Sequence, residues 1–254
     1  MGENIIRDKL VQRGQELFNT EKRFNEYAKD HDADLLLNDL ELRPHAFVLA
    51  CVMDRQVKAE KAWIIPYSIS QRDPKLAGFS MEALQQLSLQ DVNRLMSHPE
   101  PLHRFVEKMS QAFYSAIQRI NGSYAGDASR IWTGNPSSAE VVYRFLEFDG
   151  VGPKIATMAA SILAREFKIP FSDHYSIDIS ADRHIRHVFS RLGLCSSDAT
   201  IEQIIYKARA LHASYPGMMD LPCWEIGRNW CKSETPNCGA CYMNDLCPKI
   251  GVPQ

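Results

Sequence analysis

The sequence lacks a long hydrophobic run, an excess of charge of either sign and any clear run of alternating apolar and polar residues. Its longest apolar run, Ala46 to Met53, covers eight residues and is far too short to span a bilayer. The 29 Lys and Arg residues nearly balance the 31 Asp and Glu residues, so the net charge of -2 gives no general attraction to nucleic acids or acidic membranes. Any binding to such partners must come from local patches.

The N-terminal segment also lacks a targeting signal. Residues 1–8 contain charges and no apolar core of a signal peptide, and Ile6 stands where a myristoylation signal needs Ser or Thr. Seven cysteines would be an odd set for disulfides, and four of them are crowded near the C-terminus. We therefore expect a soluble cytoplasmic protein in a reducing compartment, with no membrane attachment.

The spacing of apolar residues is helical along almost the whole chain, and we expect an all-α fold. With 254 residues and 45% hydrophobic content, the chain is long enough for one large domain or two of ordinary size. The acidic stretch at 30–41 is predicted to be a solvated segment. The predicted helices cover 5–18, 46–61, 80–87, 102–120, 138–148, 153–167, 182–192 and 200–214.

The four crowded cysteines follow the spacing Cys231-x6-Cys238-x2-Cys241-x5-Cys247. Four thiolates on so short a loop can surround one metal centre. Structural zinc sites commonly use two close pairs of ligands, whereas only Cys238 and Cys241 are two residues apart here. The uneven gaps favour the larger [4Fe-4S] cube, whose iron corners hold the sulfur ligands apart. Zinc and free thiols stay as alternatives, and the other three cysteines are expected to be ordinary small apolar residues.

A glycine-rich turn between two predicted helices is the second distinctive feature. It runs from Phe148 to Ala156 with the sequence FDGVGPKIA, and its two glycines permit a tight turn. Pro153 suits the first position of the following helix. Backbone N–H groups at such a turn and at a helix N-terminus can hold a DNA phosphate. A plain turn between packed helices is the alternative.

Together, the cysteine loop and the glycine turn resemble those of the endonuclease III group of DNA glycosylases. That family has a helix-hairpin-helix motif upstream of a C-terminal [4Fe-4S] loop, and the segment Trp224 to Trp230 resembles the helix that leads into the loop. The resemblance extends over roughly residues 44–248 and implies two helical domains. One covers 44–167 with the hairpin at about 138–165, and the other joins 1–43 to 168–254 with the cluster loop at 231–247.

The resemblance also assigns two catalytic candidates. Lys154 stands where lyase-active members have the lysine that attacks the sugar C1′ and forms a Schiff base, and partial burial of its amine would favour this attack. Asp182 matches an acidic residue that precedes a helix, where a carboxylate can stabilise positive charge on the sugar as the base departs. The alternative for Lys154 is a solvated lysine or one that pairs with a phosphate, and the alternative for Asp182 is helix capping. Asp173 and Asp178 are rival acids.

A third correspondence concerns Gln56. The segment from Phe47 to Gln56 resembles the family's buried helix that ends in Gln, although the apolar spacing predicts a helix over 46–61. Gln56 resembles the family's glutamine that fills the space left by an extruded nucleotide, and an exposed amide without this role is the alternative. Arg55 and Arg183 are expected to contact DNA phosphates. The hairpin is expected to contribute the backbone of Gly150, Val151 and Gly152.

Three departures from the family pattern affect the identity of the substrate more than the chemistry. The hairpin has Phe148-Asp149 where Leu-Pro is common, and Asp54-Arg55 replaces the smaller residues that usually precede the glutamine. The stretch at 64–79 is longer than the simplest members need. These segments lie where the base could be selected.

The resemblance thus implies a monomeric repair enzyme that excises a damaged or modified base from double-stranded DNA. The lysine adds a second activity, cleavage of the abasic site by Schiff-base β-elimination. A monofunctional glycosylase on the same scaffold is the near alternative. A non-catalytic iron-sulfur module that binds DNA is the alternative from a different class.

Overall fold

The computed structural model describes residues 2–20 and 24–252, and every regular element in these ranges is helical. The all-α prediction is therefore confirmed. Short 3₁₀ turns connect some of the helices, at Pro74–Leu76, Ala128–Ile131, Pro216–Met219 and Cys238–Ala240. The α-helices are α1 (Gly2–Asn19), α2 (His31–Asn38), α3 (Pro44–Met53), α4 (Ala59–Trp63), α5 (Ile65–Arg72), α6 (Met81–Gln85), α7 (Leu89–Ser97), α8 (Val106–Tyr124), α9 (Ser138–Leu146), α10 (Pro153–Arg165), α11 (Arg183–Arg191), α12 (Ile201–Leu211) and α13 (Asp220–Asn229).

The chain divides into two compact units. The hairpin unit comprises residues 22–136 and 140–159 and contains the glycine turn and Lys154. The cysteine unit comprises residues 1–21, 137–139 and 160–254 and contains Asp182 and the four-cysteine loop. The domain boundaries at residues 44 and 168 stay predictions.

α3 forms the centre of the hairpin unit, since all ten of its residues are buried. Pro44 lies in its first turn, where the missing backbone N–H would have no helical partner. α3 packs against α8 and α2. The predicted helix over 46–61 is wrong in its second half, because α3 ends at Met53 and α4 begins only at Ala59. Between them Gln56 has φ of +55°, a left-handed conformation that no right-handed helix contains.

The acidic stretch at 30–41 contains α2, and the prediction of a solvated segment holds only for its exposed residues, among them Asp32 and Glu41. Asp30 caps α2 by accepting a hydrogen bond from the N–H of Ala33 at 3.0 Å. The buried carboxylate of Asp34 accepts two backbone N–H bonds, at 2.9 and 2.8 Å. Leu36 and Leu37 are buried beside it. Asp30 and Asp34 thus accept hydrogen bonds from backbone N–H groups, and α2 buries an apolar face.

The core of the cysteine unit is built on α11 and α13, with α1 packed against α13. Leu10, Phe189 and Ile226 are buried in this core. The contact between α11 and α13 depends on Gly227, because a Cβ there would lie 2.9 Å from the Cβ of His184. Any larger residue would push the two helices apart.

The predictions for α1, α6, α8, α9, α10, α11 and α12 are confirmed to within a few residues at their ends. Three helices were not predicted, α2, α5 and α7. α7 begins with a capping box in which Ser88 and Asp91 bond reciprocally to each other's backbone N–H. In the described ranges, no helix has both the length and the apolar character needed to cross a membrane.

Candidate functional site

The turn between α9 and α10 is a compact hairpin whose apolar residues are buried and whose tip is exposed. Phe148 and Val151 are buried, and the N–H of Val151 donates to the carbonyl of Phe148 at 3.0 Å. Gly150 has φ of +86°, which explains why a glycine stands there. A Cβ at Gly152 would meet nothing within 4 Å. The backbone of Gly152 therefore borders open space next to the N-terminus of α10.

Lys154 is the second residue of α10, and its side chain is exposed. The expectation of a partly buried amine is therefore wrong. In the part of the chain that the structure describes, no hydrogen bond or salt bridge engages its ammonium. The amine is accessible to a ligand from solvent.

The segment from Asp54 to Gln56 follows α3 and lies beside the hairpin. Arg55 reaches the turn, since its Nη1 lies 3.4 Å from the position that a Cβ on Gly150 would take. The Nε2–H of the buried His103 donates to the carbonyl of Arg55 at 3.2 Å. Gln56 is exposed. These contacts hold the turn in a shape that leaves the Gln56 amide outside the core.

Asp54 stands between α3 and Arg55, and the sequence marks it as part of a departure from the family pattern. Its carboxylate lies beyond the C-terminus of α3 and accepts a hydrogen bond from the indole N–H of Trp63. Burial raises the pKa of Asp54, while the nearby Lys154 ammonium and the Trp63 bond act to lower it. In the sequence, this carboxylate stands directly after the longest apolar run. Asp54 follows α3 and Lys154 lies in α10, so the sequence alone does not indicate that the two charges influence each other.

Asp182 is the N-cap of α11, as the sequence predicted for its position before a helix. Its carboxylate accepts a hydrogen bond from the N–H of Ile185 at 2.9 Å. The side chain is half-buried, and the next residue, Arg183, is exposed. Capping uses one carboxylate oxygen, so the other can face a ligand.

The two rival acids have structural partners. Asp178 forms a bidentate pair with Arg209, with distances of 2.8 and 2.7 Å. Asp173 accepts hydrogen bonds from the hydroxyl of Ser138 and the N–H of Tyr175. Both carboxylates therefore fix local structure in the cysteine unit, and neither caps α11.

The four cysteines of the C-terminal loop line one pocket. The loop begins just after α13. The N–H of Cys231 donates a hydrogen bond to the carbonyl of Ile226 in that helix, at 2.8 Å. Val188, Leu192 and Met243 form the apolar wall of the pocket. The sequence-predicted ligands thus share one cavity.

The buried Arg191 fastens this loop to the end of α11. Its guanidinium donates to the carbonyls of Lys232 and Ser233, at 2.8 and 3.0 Å. It also lies 3.5 Å from the sulfur of Cys231. Three contacts from one planar group define the path of the loop just after its first cysteine.

The arrangement of the cysteines bears on which metal centre could occupy the pocket. Across residues 2–20 and 24–252, no three His, Cys, Asp or Glu side chains form a group that could hold a single metal ion. A single zinc ion needs ligand sulfurs about 2.3 Å from one point. A cube with one thiolate at each iron suits sulfurs spread around a wider pocket. Four thiols that line one pocket are a donor set of the kind that a [4Fe-4S] cluster uses.

No protein-family model and no curated protein sequence matches the chain. Solved structures do match it. An endonuclease III in a non-covalent complex with DNA is 17% identical, with a TM-score of 0.57 over 86% of this chain and 93% of that one. A thermostable thymine-DNA glycosylase is 12% identical, with a TM-score of 0.61 over 98% and 96%.

The 8-oxoguanine DNA glycosylase of Methanocaldococcus jannaschii is 14% identical to the chain, with a TM-score of 0.52 over 89% of this chain and 97% of that one. By their names, two of these three proteins are DNA glycosylases, and the third is an endonuclease III in complex with DNA. The chain therefore has the fold of helix-hairpin-helix DNA glycosylases, as the sequence resemblance implied.

Proposed function

We propose that this protein is a DNA glycosylase that excises a damaged or modified base from double-stranded DNA and then cleaves the abasic site by β-elimination. The observation that carries the proposal is the exposed amine of Lys154, at the start of α10 and directly after the glycine turn. An accessible lysine on a fold shared with DNA glycosylases supports a Schiff-base step.

The surface beside Lys154 has the features that DNA binding needs. The tip of the hairpin is exposed, and its N–H groups near Gly152 can donate to a phosphate. Arg55 adds a cation beside the same turn. The exposed Gln56 can fill the space left by an extruded nucleotide. Since the net charge is -2, such local contacts must supply the affinity.

In this proposal the two predicted catalytic residues act at successive steps. Asp182 stabilises positive charge on the sugar while the bond to the base breaks. Lys154 attacks C1′, and the resulting Schiff base acidifies the neighbouring C2′ proton, so that the 3′ phosphate leaves by elimination. The capping bond holds the Asp182 carboxylate in a fixed direction.

Incubation with a panel of duplexes, each with one altered base, tests the proposed activity. At least one duplex should be cut at the altered base without alkali, because the lyase step breaks the strand itself. Breaks that appear only after alkali would show a monofunctional enzyme. Binding without any break in the whole panel would show a non-catalytic module.

Gly152→Glu provides a binding-deficient variant for the same panel. The added side chain meets no protein atom near its Cβ, so the fold should tolerate it. Its carboxylate would repel a phosphate at the hairpin, and affinity should fall alike for all sequences. Unchanged affinity in this variant would show that the hairpin does not hold DNA.

We also propose that Cys231, Cys238, Cys241 and Cys247 bind a [4Fe-4S] cluster. The four cysteines line one pocket, and Arg191 is bonded to the loop that bears them. When bound, such a cluster ties four points of the loop together and organises the C-terminal part of the cysteine unit.

The purified protein should be brown and contain four iron and four sulfide per chain, as a [4Fe-4S] cluster requires. Cys238→Ala should lose the iron and the visible absorption, because it removes one corner ligand. Cys195→Ala is the matched control, since Cys195 is half-buried and lies outside the loop. A colourless, folded wild-type protein with one zinc ion per chain would contradict the proposal.

A further inference from the structure

Asp149 places a negative charge in the hairpin, directly before the glycine turn. A free aspartate can bond to backbone N–H groups two or three residues further along the chain. In this hairpin those groups belong to Val151 and Gly152, which are proposed to hold a DNA phosphate. A carboxylate beside them would also repel the phosphate directly. A hairpin that binds DNA must therefore keep this charge away from its N–H groups.

The carboxylate of Asp149 is held by a residue of α8. The hydroxyl of Ser115 donates a hydrogen bond to its Oδ2 at 2.6 Å, a length typical of a hydroxyl bonded to an ionised carboxylate. Across residues 2–20 and 24–252, no backbone N–H bonds to this carboxylate, and no Lys, Arg or His nitrogen lies within 4.0 Å of it. Asp149 therefore neither caps α10 nor forms a salt bridge.

Ser115 uses its hydroxyl for the hairpin instead of for its own helix. It lies in the interior of α8, where a serine commonly turns its hydroxyl back to a carbonyl of the preceding turn. Ser115 donates to Asp149 instead, 34 positions further along the chain. Because a hydroxyl has one proton to donate, the bond to Asp149 occupies it.

The position of the hairpin does not depend on this bond alone. Phe148 is buried, and the guanidinium of Arg119 lies 5.9 Å from the centre of its ring. Arg119 stands one turn after Ser115 on α8, and its guanidinium lies 3.6 Å from the Glu147 carboxylate. Loss of the Ser115 hydroxyl should therefore free the Asp149 side chain and leave the hairpin backbone in place.

The groups on the other side of the hairpin are free to meet a phosphate. The N–H of Gly152 has no acceptor in the part of the chain that the structure describes. The guanidinium of Arg55, beside Gly150, makes no hydrogen bond or salt bridge there either. The hairpin thus has an available cation and an available N–H group, while its one carboxylate is engaged on α8. Phosphate binding requires this combination.

We propose that Ser115 is a positioning residue for DNA binding, because its hydroxyl holds the Asp149 carboxylate on α8 and away from the phosphate at the hairpin. The inference rests on the proposed function. When Ser115 donates, the Asp149 side chain stays in one orientation, and the backbone of Gly152 borders open space. Without the hydroxyl, the carboxylate can rotate toward the N–H groups and compete with the phosphate for them.

Equilibrium binding to a fluorescent duplex with an uncleavable abasic analogue, measured by anisotropy at low and at high salt, tests this inference. At low salt Ser115→Ala should bind more weakly than the wild type by about 5-fold or more, which corresponds to two like charges about 4 Å apart in water. The difference should shrink at high salt, because salt screens exposed charges. Ser115→Thr keeps a hydroxyl and should bind as the wild type does.

A double-mutant cycle separates the charge from the hydrogen bond. Asp149→Asn removes the charge and keeps an oxygen that can accept the Ser115 hydroxyl. Alone, it should change the affinity only slightly, because the charge that it removes is already held on α8. In the Ser115→Ala background, the same substitution should restore the affinity that Ser115→Ala lost.

Asp91→Asn is the matched control for these variants. Asp91 also accepts a serine hydroxyl at 2.6 Å, and it lies in α7 of the same unit, so its replacement should leave the affinity unchanged at both salt concentrations. Thermal unfolding of each variant checks the fold. Ser115→Ala should remain folded, because alanine is the best helix former.

The outcomes separate the inference from the proposed function. If the wild type does not bind the duplex, or if Gly152→Glu binds as tightly as the wild type, the proposed role of the hairpin is wrong. If the hairpin binds DNA but Ser115→Ala has the wild-type affinity, or loses the same factor at both salt concentrations, the inference alone is wrong. It is also wrong if Asp149→Asn raises the affinity by the same factor with and without the Ser115 hydroxyl.

Discussion

Replacement of Lys154 with Gln should abolish covalent trapping of the protein on an abasic duplex. The amide nitrogen of Gln has no basic lone pair, so the imine that borohydride reduces cannot form. Because Lys154 is exposed and has no protein partner among the described residues, its loss should leave the fold intact. Denaturing electrophoresis of the adduct measures the effect, and binding to an uncleavable abasic analogue should change by only a few fold.

Lys58→Gln is the matched control for this experiment. Lys58 is also exposed, lies in the same unit and precedes α4, so its replacement removes one positive charge without removing the proposed nucleophile. It should trap as the wild type does. If Lys154→Gln still forms the adduct at the wild-type rate, another amine attacks the sugar and the assignment of Lys154 is wrong.

Asp182→Asn should slow base release by about 100-fold or more, as the loss of a single electrostatic group in an active site often does. The substitution removes the negative charge and keeps the shape. Since Asn is as good an N-cap as Asp, the bond to the N–H of Ile185 should persist and the unfolding temperature should hardly change. Single-turnover excision on whichever duplex the panel identifies measures the effect.

The same Asp182→Asn variant should still be trapped on an abasic duplex, because the base has already left that substrate. Asp178→Asn serves as the control, since it breaks the pair with Arg209 and leaves the α11 cap intact. Base release at the wild-type rate in Asp182→Asn would show that its carboxylate is only a cap. Loss of excision in one variant and of trapping in the other would assign the two steps separately.

Features that depend on local sequence were predictable. Glycines and a proline mark the turn before α10, and Asp182 precedes an apolar pattern that ends at Gly193. The spacing of the four cysteines predicted that they would come together, and they line one pocket. In each case the signal lies within about 20 residues of chain, so no knowledge of long-range packing was needed.

Features that depend on packing were not predictable. The helical pattern continues past Met53, and only the structure shows that the chain leaves the helix and adopts a left-handed conformation at Gln56. The charges around α2 suggested exposure, whereas Asp34 is buried because it satisfies backbone N–H groups.

α11 lies between Asp182 and the cysteine loop. Its N-terminus is capped by Asp182, and its last residue, Arg191, is bonded to the loop. A helix of nine residues is about 13.5 Å long. The cap at Asp182 and the anchor of the cysteine loop therefore lie at the two ends of one short helix, so a substitution that unwinds α11 would disturb both ends together.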